Sequence, residues 1–238
     1  MPLSDGTPGR RVPRVEVRLV DLARYASTLE SAVPPVLHSE PQPDAPATDA
    51  RSRDARLARA ALRLLVRAIA GEAHAAQPLA RTPAGKPMLP GSGLEISLSH
   101  SGGLALVAVS TAGAIGVDLE CPRTVTLDGW RRPALEAAAA ALSPAPLAGV
   151  ADTDARFLAA WVRLEALAKA RGDGIAGLLH ALEIREPARL ALAARAALGG
   201  FRIDDLCLGG GLLGALALPA DAPPAAVRPF TTTADGAG

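Results

Sequence analysis

The sequence contains few cysteines, few aromatic residues and no long apolar run. Cys121 and Cys207 are the only cysteines among 238 residues, and their isolation predicts neither a zinc site nor a disulfide framework. Aromatic residues make up 3% of the chain and the net charge is +1, so a typical nucleic-acid-binding surface is not expected. The longest apolar stretches fall well short of the roughly 20 residues that cross a bilayer, and no secretory signal is evident. We therefore expect a cytoplasmic protein that binds neither nucleic acid nor a membrane.

Lysine is also scarce. Of the 25 basic residues 23 are arginine, and only Lys86 and Lys169 are lysine. Where arginine is used almost everywhere else, a retained lysine indicates a compact point charge that the planar guanidinium cannot imitate. Each lysine lies in a dense polar motif, Gly85-Lys86-Pro87 or Glu165-x-x-x-Lys169. We expect the chemistry of the protein around these two motifs.

Hydrophobic periodicity predicts an α+β chain. Helices are predicted at residues 54–70 and 153–171, a three-stranded meander within 94–120, and further strands at 15–20, 182–185, 201–204 and 212–218. Each half is thus a helix followed by antiparallel strands, which indicates two similar lobes at residues 15–120 and 121–218. Residues 1–14 and 219–238 are rich in proline, glycine, alanine and threonine, so we expect a flexible N-terminus and a disordered tail.

The first predicted helix carries an arginine stripe on one face, formed by Arg56, Arg59, Arg63 and Arg67. Apolar residues cover its other side, as in a helix that packs on a core. Like charges one turn apart repel each other, so the stripe is mildly unfavourable unless an anion or an acidic partner neutralises it. An anion-binding face and an ordinary solvated face both remain open.

Two carboxylates end a predicted strand in the segment Gly116-Val117-Asp118-Leu119-Glu120. Because residues two apart in a strand share a face, Asp118 and Glu120 point the same way and can offer oxygens to one hard cation. Mg²⁺ usually takes one or two protein carboxylates with waters and substrate phosphates, so the pair fits a phosphate-handling site. The alternative is an acidic pair in a solvated loop.

The second predicted helix carries Glu165 and Lys169 one turn apart. They lie at the edge of its apolar stripe, beside Trp161, while Arg156 and Arg163 are predicted on the opposite, solvated side. The alternative is the ordinary ion pair that glutamate and lysine form at this spacing. The position beside the apolar stripe favours a functional pair.

A third polar cluster combines Gly85-Lys86-Pro87 with the Ser-Leu-Ser-His-Ser turn at residues 97–101. His100 in this turn is either a chemical group or a histidine that only forms structural hydrogen bonds. A Ser-His-Asp hydrolase is disfavoured, because the sequence lacks a nucleophile-elbow motif.

Taken in order, these clusters resemble the 4'-phosphopantetheinyl transferase superfamily. The match consists of Gly85-Lys86-Pro87, the Ser-Leu-Ser-His-Ser turn, Gly-Val-Asp-Leu-Glu and Trp-x-x-x-Glu-Ala-x-x-Lys, in the layout of the surfactin-synthetase-activating (Sfp-type) branch. The resemblance implies a monomeric pseudo-dimer of two lobes, each a helix packed on a small antiparallel sheet, with coenzyme A between them. It also implies a Mg²⁺-dependent enzyme that transfers phosphopantetheine from coenzyme A to a serine of an acyl or peptidyl carrier protein and releases adenosine 3',5'-bisphosphate.

The resemblance assigns catalytic and metal-binding roles to four side chains. Asp118, Glu120 and Glu165 would be the Mg²⁺ ligands. Glu165, directly or through a water, would take the proton of the carrier serine. Lys169 would steady the charge that develops on the pyrophosphate, which is the kind of help that phosphoryl-type transfer needs.

The resemblance also assigns contacts to coenzyme A. Gly85-Lys86-Pro87 would border the adenine, and Ser99 and His100 would contact a phosphate, with His100 favoured as a cation. The family's basic residues for the 3'-phosphate are not matched, and Arg53, or Arg51 or Arg56, is expected to replace them. Leu164 stands where the family often has lysine, so one phosphate contact is expected to be missing.

Two other functions remain open at this point. One is a non-catalytic module of the same fold that binds coenzyme A or a carrier protein, and the other is a Mg²⁺-dependent phosphohydrolase that uses the same carboxylates. The transferase is favoured, because a pure binder has no evident need for three converging carboxylates and Lys169 together. In a transferase, the arginine stripe would serve an acidic carrier protein.

Overall fold

The computed structural model describes residues 13–32, 50–127, 129–143, 147, 152–185 and 189–231. These residues form an α+β structure, which confirms the predicted class. In chain order the elements are β1 (Val15–Asp21), α1 (Ala26–Ala32), α2 (Ala50–Ala70), α3 (Glu72–Ala75), β2 (Ala80–Arg81), β3 (Pro87–Met88), β4 (Glu95–Ser101), β5 (Leu104–Ser110), β6 (Gly116–Glu120), α4 (Arg131–Leu142), α5 (Thr153–Arg171), α6 (Gly174–Ala181), α7 (Leu190–Leu198), β7 (Phe201–Asp205), β8 (Leu213–Pro219) and β9 (Val227–Pro229). No helix of the described part is both long and apolar enough to cross a membrane.

The same strand connectivity occurs twice in the chain. The first sheet has the order β4-β5-β1-β9, and a second sheet has the order β6-β8-β7. In each case a strand is followed by helices and later by an antiparallel hairpin, whose second strand, β5 or β8, pairs with the first strand. The first half differs in having the small β2-β3 sheet between its helices and this hairpin. The structure therefore contains two halves of like topology. The first half is the β4-β5-β1-β9 sheet with α1 to α3, and the second half is the β6-β8-β7 sheet with α4 to α7. That the two halves form a pseudo-dimer stays a prediction.

Strand β5 joins the two halves, because each of its faces packs against a different apolar cluster. Its alternate residues Ala105, Val107 and Val109 belong to the apolar cluster under α2. Leu106 and Ala108 face the other way and pack with residues of β6 and β8. Because both faces of β5 are covered, the strand has no polar side and is a nearly continuous apolar run in the sequence.

Helix α5 lies unusually close to β6. A Cβ added to Gly116 would lie 1.9 Å from the carbonyl oxygen of Ala166 and 2.5 Å from the backbone nitrogen of Ala170. The helix begins after Asp152, whose side chain accepts hydrogen bonds from the amides of Asp154 and Ala155, and it ends at a left-handed glycine. These end signals agree with the predicted bounds of 153–171, and the close contact brings the polar edge of α5 to β6.

Two predicted strands are placed differently in the structure. The third strand of the expected meander, β6, pairs with β8 rather than with β5, so hydrogen bonding groups it with the second half of the chain. The strand predicted at residues 182–185 is wrong, because these residues form a turn directly after helix α6. Leu178 and Leu182 are both buried and lie four residues apart, which is a helical spacing that a short window does not distinguish from a strand.

The C-terminal segment differs from the expected disordered tail as far as Thr231. Strand β9 pairs in parallel with β1, and Phe230 is buried in the core of the first half. The hydroxyl of Tyr25 donates a hydrogen bond of 2.9 Å to the carbonyl of Phe230. An edge strand tolerates proline, so the proline-rich composition did not exclude pairing. The remaining tail residues, 232–238, and residues 1–12 of the expected flexible N-terminus lie outside the described residues.

Arg163 corrects the predicted polarity of α5. Its side chain is 2% exposed rather than solvated, and its Nε donates a hydrogen bond of 2.8 Å to Asp205 on β7. A buried guanidinium is tolerable when a carboxylate engages it in this way. Helical periodicity alone predicts a solvated position for Arg163, because the sequence pattern of α5 contains no information on where β7 packs.

Candidate functional site

Three alternate serines of β4 connect the two sheets side chain by side chain. Ser97 Oγ accepts a hydrogen bond of 3.0 Å from the amide of Val117 on β6. Ser99 donates a bond of 2.7 Å to Asp118 Oδ1, and Ser101 donates one of 3.2 Å to Glu120 Oε2. Residues two apart in a strand share a face, so the three hydroxyls form one row, which we call the serine bridge.

The serine bridge places Asp118 at the centre of a polar contact. Its side chain is 7% exposed, and Oδ1 also accepts a hydrogen bond of 2.7 Å from Lys169 Nζ. The same ammonium donates a bond of 3.1 Å to the carbonyl of Val117. The close approach of α5 to β6 at Gly116 is what lets Lys169 reach both acceptors.

Glu165 lies one helical turn before Lys169 and is electrostatically coupled to both carboxylates of β6. Burial raises the pKa of Glu165, and Asp118 and Glu120 raise it further, while Lys169 acts in the opposite direction. Like charges raise a carboxyl pKa only when they lie within electrostatic range. Asp118 and Glu120 therefore lie within electrostatic range of Glu165.

A cavity of about 580 Å³ opens between the two halves beside this cluster. Its walls come from α2, the turn between β2 and β3, β4, and the C-terminal part of α5 with the start of α6. The side chains and glycine that matter for chemistry are Arg59, Arg81, Gly85, Lys86, Pro87, His100, Glu165 and Lys169. Among the described residues, the lining combines several cations with one carboxylate, that of Glu165, so an anionic ligand is favoured.

The turn between β2 and β3 is held rigidly at the cavity wall. The amide of Thr82 donates to the carbonyl of Lys86 at 2.9 Å, and Thr82 Oγ1 accepts from the amide of Lys86 at 3.1 Å. Gly85 has a left-handed φ of 87°, which a side chain would strain. Lys86 Nζ lies 3.3 Å from Glu95 Oε2, and its side chain is 9% exposed. The motif thus presents a fixed surface rather than a mobile charge.

His100 lines the cavity in an environment that favours its neutral form. Burial lowers its pKa, and this outweighs the opposite influence of Asp54. The nearby cations Arg51, Lys169 and Arg59 lower the pKa further. Burial is thus the main reason why the pKa of His100 is lowered in the protein without a ligand, and the cations around it act in the same direction. The prediction of a cationic His100 applies to contact with a phosphate and stays a prediction.

The structure separates the predicted site residues into three places. The cavity collects Gly85-Lys86-Pro87, His100, Glu165 and Lys169. Asp118 and Glu120 lie on β6, and Ser99 faces Asp118. Arg53 is exposed and pairs with Glu30 at 3.2 Å.

Arg59 and Arg81 are cavity residues that the sequence did not single out as ligand contacts. The arginine stripe contained a signal for Arg59, but the stripe proves to be heterogeneous. Arg63 is 6% exposed and donates hydrogen bonds of 2.7 and 2.8 Å to the carbonyls of Ala75 and Gln77. Arg67 forms an ion pair with Glu72. The stripe is thus neither a uniform solvated face nor a uniform anion-binding face.

The fit to a divalent cation depends on the carboxylates around Asp118. Carboxylate oxygens are the ligands that Mg²⁺ prefers. The charges of Asp118 and Glu120 both act to raise the pKa of Glu165. Among the described residues, no group of three or more His, Cys, Asp or Glu side chains is arranged to hold a metal ion. Mg²⁺ bound by one or two of these carboxylates, with waters and ligand phosphates, agrees with both observations. That all three carboxylates bind one ion stays a prediction.

Comparison with known proteins adds no assignment. No protein-family model matches the chain, and no curated protein matches it.

Proposed function

We propose that this chain is a Mg²⁺-dependent 4'-phosphopantetheinyl transferase that acts on an acyl or peptidyl carrier protein. The supporting observation is the cavity between the two halves, which unites side chains from three motifs separated by up to 84 positions, from Gly85 to Lys169. Its volume of about 580 Å³ falls within the usual range for small-molecule sites. A cationic lining suits the phosphates of coenzyme A.

The cavity offers a distinct surface for each part of coenzyme A. The rigid Gly85-Lys86-Pro87 turn, with Leu79 and Ile175 nearby, gives an apolar wall for the adenine. Arg59 and Arg81 are better placed than Arg53 to bind phosphate, since they line the cavity and Arg53 pairs with Glu30. We assign the 3'-phosphate to this arginine pair. His100, neutral in the free protein, would gain a proton when a phosphate neutralises the cations around it.

The proposed reaction is one in-line displacement at phosphorus. The serine oxygen of the carrier protein bonds to the phosphorus next to pantetheine, and the bond from that phosphorus to the bridging oxygen breaks. The electron pair leaves on the bridging oxygen with adenosine 3',5'-bisphosphate. Glu165 takes the serine proton, and the raised pKa makes its carboxylate a stronger base.

Lys169 is placed to stabilise the charge that grows on the leaving group. Its ammonium is fixed by Asp118 and by the carbonyl of Val117, so little reorganisation is needed when charge develops nearby. Asp118 and Glu165 are the residues that would hold Mg²⁺ beside it. When bound, Mg²⁺ would supply further neutralisation of the pyrophosphate.

The experiment that tests this function is incubation of the protein with coenzyme A, Mg²⁺ and a panel of apo carrier proteins. We expect an increase in the intact mass of at least one carrier by one phosphopantetheine group. We also expect a cytoplasmic protein. We expect it to be a monomer, and size-exclusion chromatography with light scattering can measure this oligomeric state.

A non-catalytic coenzyme A-binding module is the second candidate. It is favoured by one observation, the engagement of Asp118 Oδ1 by both Ser99 and Lys169, which already satisfies part of the carboxylate. This function predicts saturable binding of coenzyme A with no mass gain on any carrier. A phosphohydrolase would instead release phosphate or nucleotide from coenzyme A without a carrier.

A further inference from the structure

We propose that Ser99 is a positioning residue, whose hydroxyl fixes the carboxylate of Asp118 through Oδ1 and leaves Oδ2 as the oxygen that a divalent cation can take. This inference deepens the proposed function and depends on it only for the identity of the reaction. It concerns a contact within the protein, whereas the family resemblance placed Ser99 against coenzyme A.

The contact is short and shielded from solvent. As whole residues, Ser99 is 9% exposed and Asp118 is 5% exposed. Ser99 Oγ lies 2.7 Å from Asp118 Oδ1. A hydrogen bond to a charged group in such a medium is stronger than one in water. The serine hydroxyl is therefore committed to the carboxylate.

Within the described part of the chain, both side-chain donors to the Asp118 carboxylate bond to the same oxygen. Ser99 and Lys169 Nζ each lie 2.7 Å from Oδ1, on opposite elements β4 and α5. Two donors from fixed elements define both the position and the rotation of the carboxylate. With Oδ1 occupied, a cation would find a single oriented oxygen.

The neighbouring serines also join β4 to the main chain on either side of Asp118. Ser97 accepts from the amide of Val117 on β6, and Ser101 accepts from the amide of Cys121, directly after β6, at 3.1 Å. Because each side of Asp118 has its own bond, the contact between Ser99 and Asp118 depends neither on a bound ligand nor on Ser97 alone.

Removal of the Ser99 hydroxyl would leave Asp118 held by Lys169 alone. The carboxylate would then turn towards the ammonium, which competes with a divalent cation for the same charge. Loss of a residue that orients a metal ligand typically weakens metal affinity by about 10- to 100-fold. We expect an effect of this size on the cation, and little effect on the affinity for coenzyme A.

The test is a titration with Mn²⁺, followed by the electron paramagnetic resonance signal of the free ion. We expect the dissociation constant of Mn²⁺ to rise by about tenfold or more in Ser99→Ala, and to stay within about threefold of the wild type in Ser99→Thr, which keeps the hydroxyl. Ser97→Ala is the matched control, since it breaks a link of the serine bridge that reaches the main chain and not a carboxylate. Its melting temperature should fall while its Mn²⁺ affinity stays near that of the wild type.

Three results would overturn the inference. They are an unchanged Mn²⁺ affinity in Ser99→Ala, an equal loss in Ser97→Ala, or no binding of Mn²⁺ to the wild type. The first of these results, if combined with a weaker affinity for coenzyme A in Ser99→Ala, would identify Ser99 as a phosphate contact. Because the titration needs no transfer reaction, a weaker Mn²⁺ affinity in Ser99→Ala supports the inference even if the protein transfers nothing to any carrier.

Discussion

The two long helices α2 and α5 border the same cavity but contribute to it in different ways. Helix α5 approaches β6 so closely that Gly116 leaves no space for a side chain, and Lys169 consequently reaches both a carbonyl and a carboxylate of that strand. Helix α2 sends the side chain of Arg59 to the cavity wall. The comparison indicates that α5 supplies groups of fixed geometry, suited to catalysis, and α2 supplies charge, suited to binding.

The largest effect is expected from a side chain at the contact between α5 and β6. In Gly116→Ala the new Cβ would meet the main chain of α5 at 1.9 Å. Either α5 must then move away from β6, or the second half of the structure must unfold. Overpacking of this kind typically costs 1–3 kcal/mol and occasionally more, and we expect at least about 3 kcal/mol here. Urea unfolding measures this free energy.

The matched control for that substitution is Gly177→Ala in α6. The nearest atoms that its Cβ would meet outside the helix backbone belong to the side chain of Asp173, at 3.2 Å, and alanine is the better helix former. A change within about 1 kcal/mol is expected. Equal losses in the two variants would contradict the special role given to the contact between α5 and β6.

The next effect concerns the chemistry assigned to α5. Glu165→Gln keeps the shape of the side chain and removes the base, and loss of a general base typically lowers the rate by about 10²- to 10⁴-fold. We expect a fall in kcat of this size with little change in the affinity for coenzyme A. Steady-state transfer to a carrier protein measures both quantities, and an unchanged kcat would remove Glu165 from the mechanism.

A smaller effect is expected from the charge assigned to α2. Arg59→Gln should raise the KM for coenzyme A by about tenfold, as expected for one hydrogen bond to a charged group, and should change kcat little. Arg53→Gln is the matched control, because Arg53 pairs with Glu30 at an exposed position and should change KM less than twofold, or about 0.4 kcal/mol. A larger effect at Arg53 would contradict the assignment of the phosphate site to Arg59 and Arg81.

The smallest effect is a pH dependence of stability that arises from Glu165. Because the pKa of Glu165 is raised above 4.5, the folded protein holds this proton more tightly than the unfolded chain. The stabilisation is complete below about pH 4.5 and is lost as the pH rises through the raised pKa. The unfolding free energy of the wild type, measured without metal, should therefore fall relative to that of Glu165→Gln over this interval. A constant difference would contradict the burial of this carboxyl.

The sequence predicted those features that depend on local pattern. The periodicity and end signals of α5 predict its bounds, which the structure confirms. A shared site for the motifs around Lys86, His100 and Glu165 is implied by the family resemblance and not by local pattern. These residues line one cavity in the structure.

Long-range packing accounts for what the sequence did not predict. The pairing of β6 with β8 joins segments about 100 positions apart, and nothing in either strand specifies its partner. The burial of Arg163 depends on Asp205, and the pairing of β9 depends on the free edge of β1. The inward position of Arg59 could not be separated from those of the other stripe arginines, because all four have the same charge and helical phase. These outcomes are set by tertiary contacts rather than by local preference.

The most direct test of this account is a crystal structure of the protein with coenzyme A and Mg²⁺. We predict the nucleotide in the cavity between the two halves, with its adenine against Gly85-Lys86-Pro87, its 3'-phosphate at Arg59 and Arg81, and its pyrophosphate beside Lys169 and Glu165. Coenzyme A bound elsewhere, or a cavity that stays empty at saturating coenzyme A, would contradict the account.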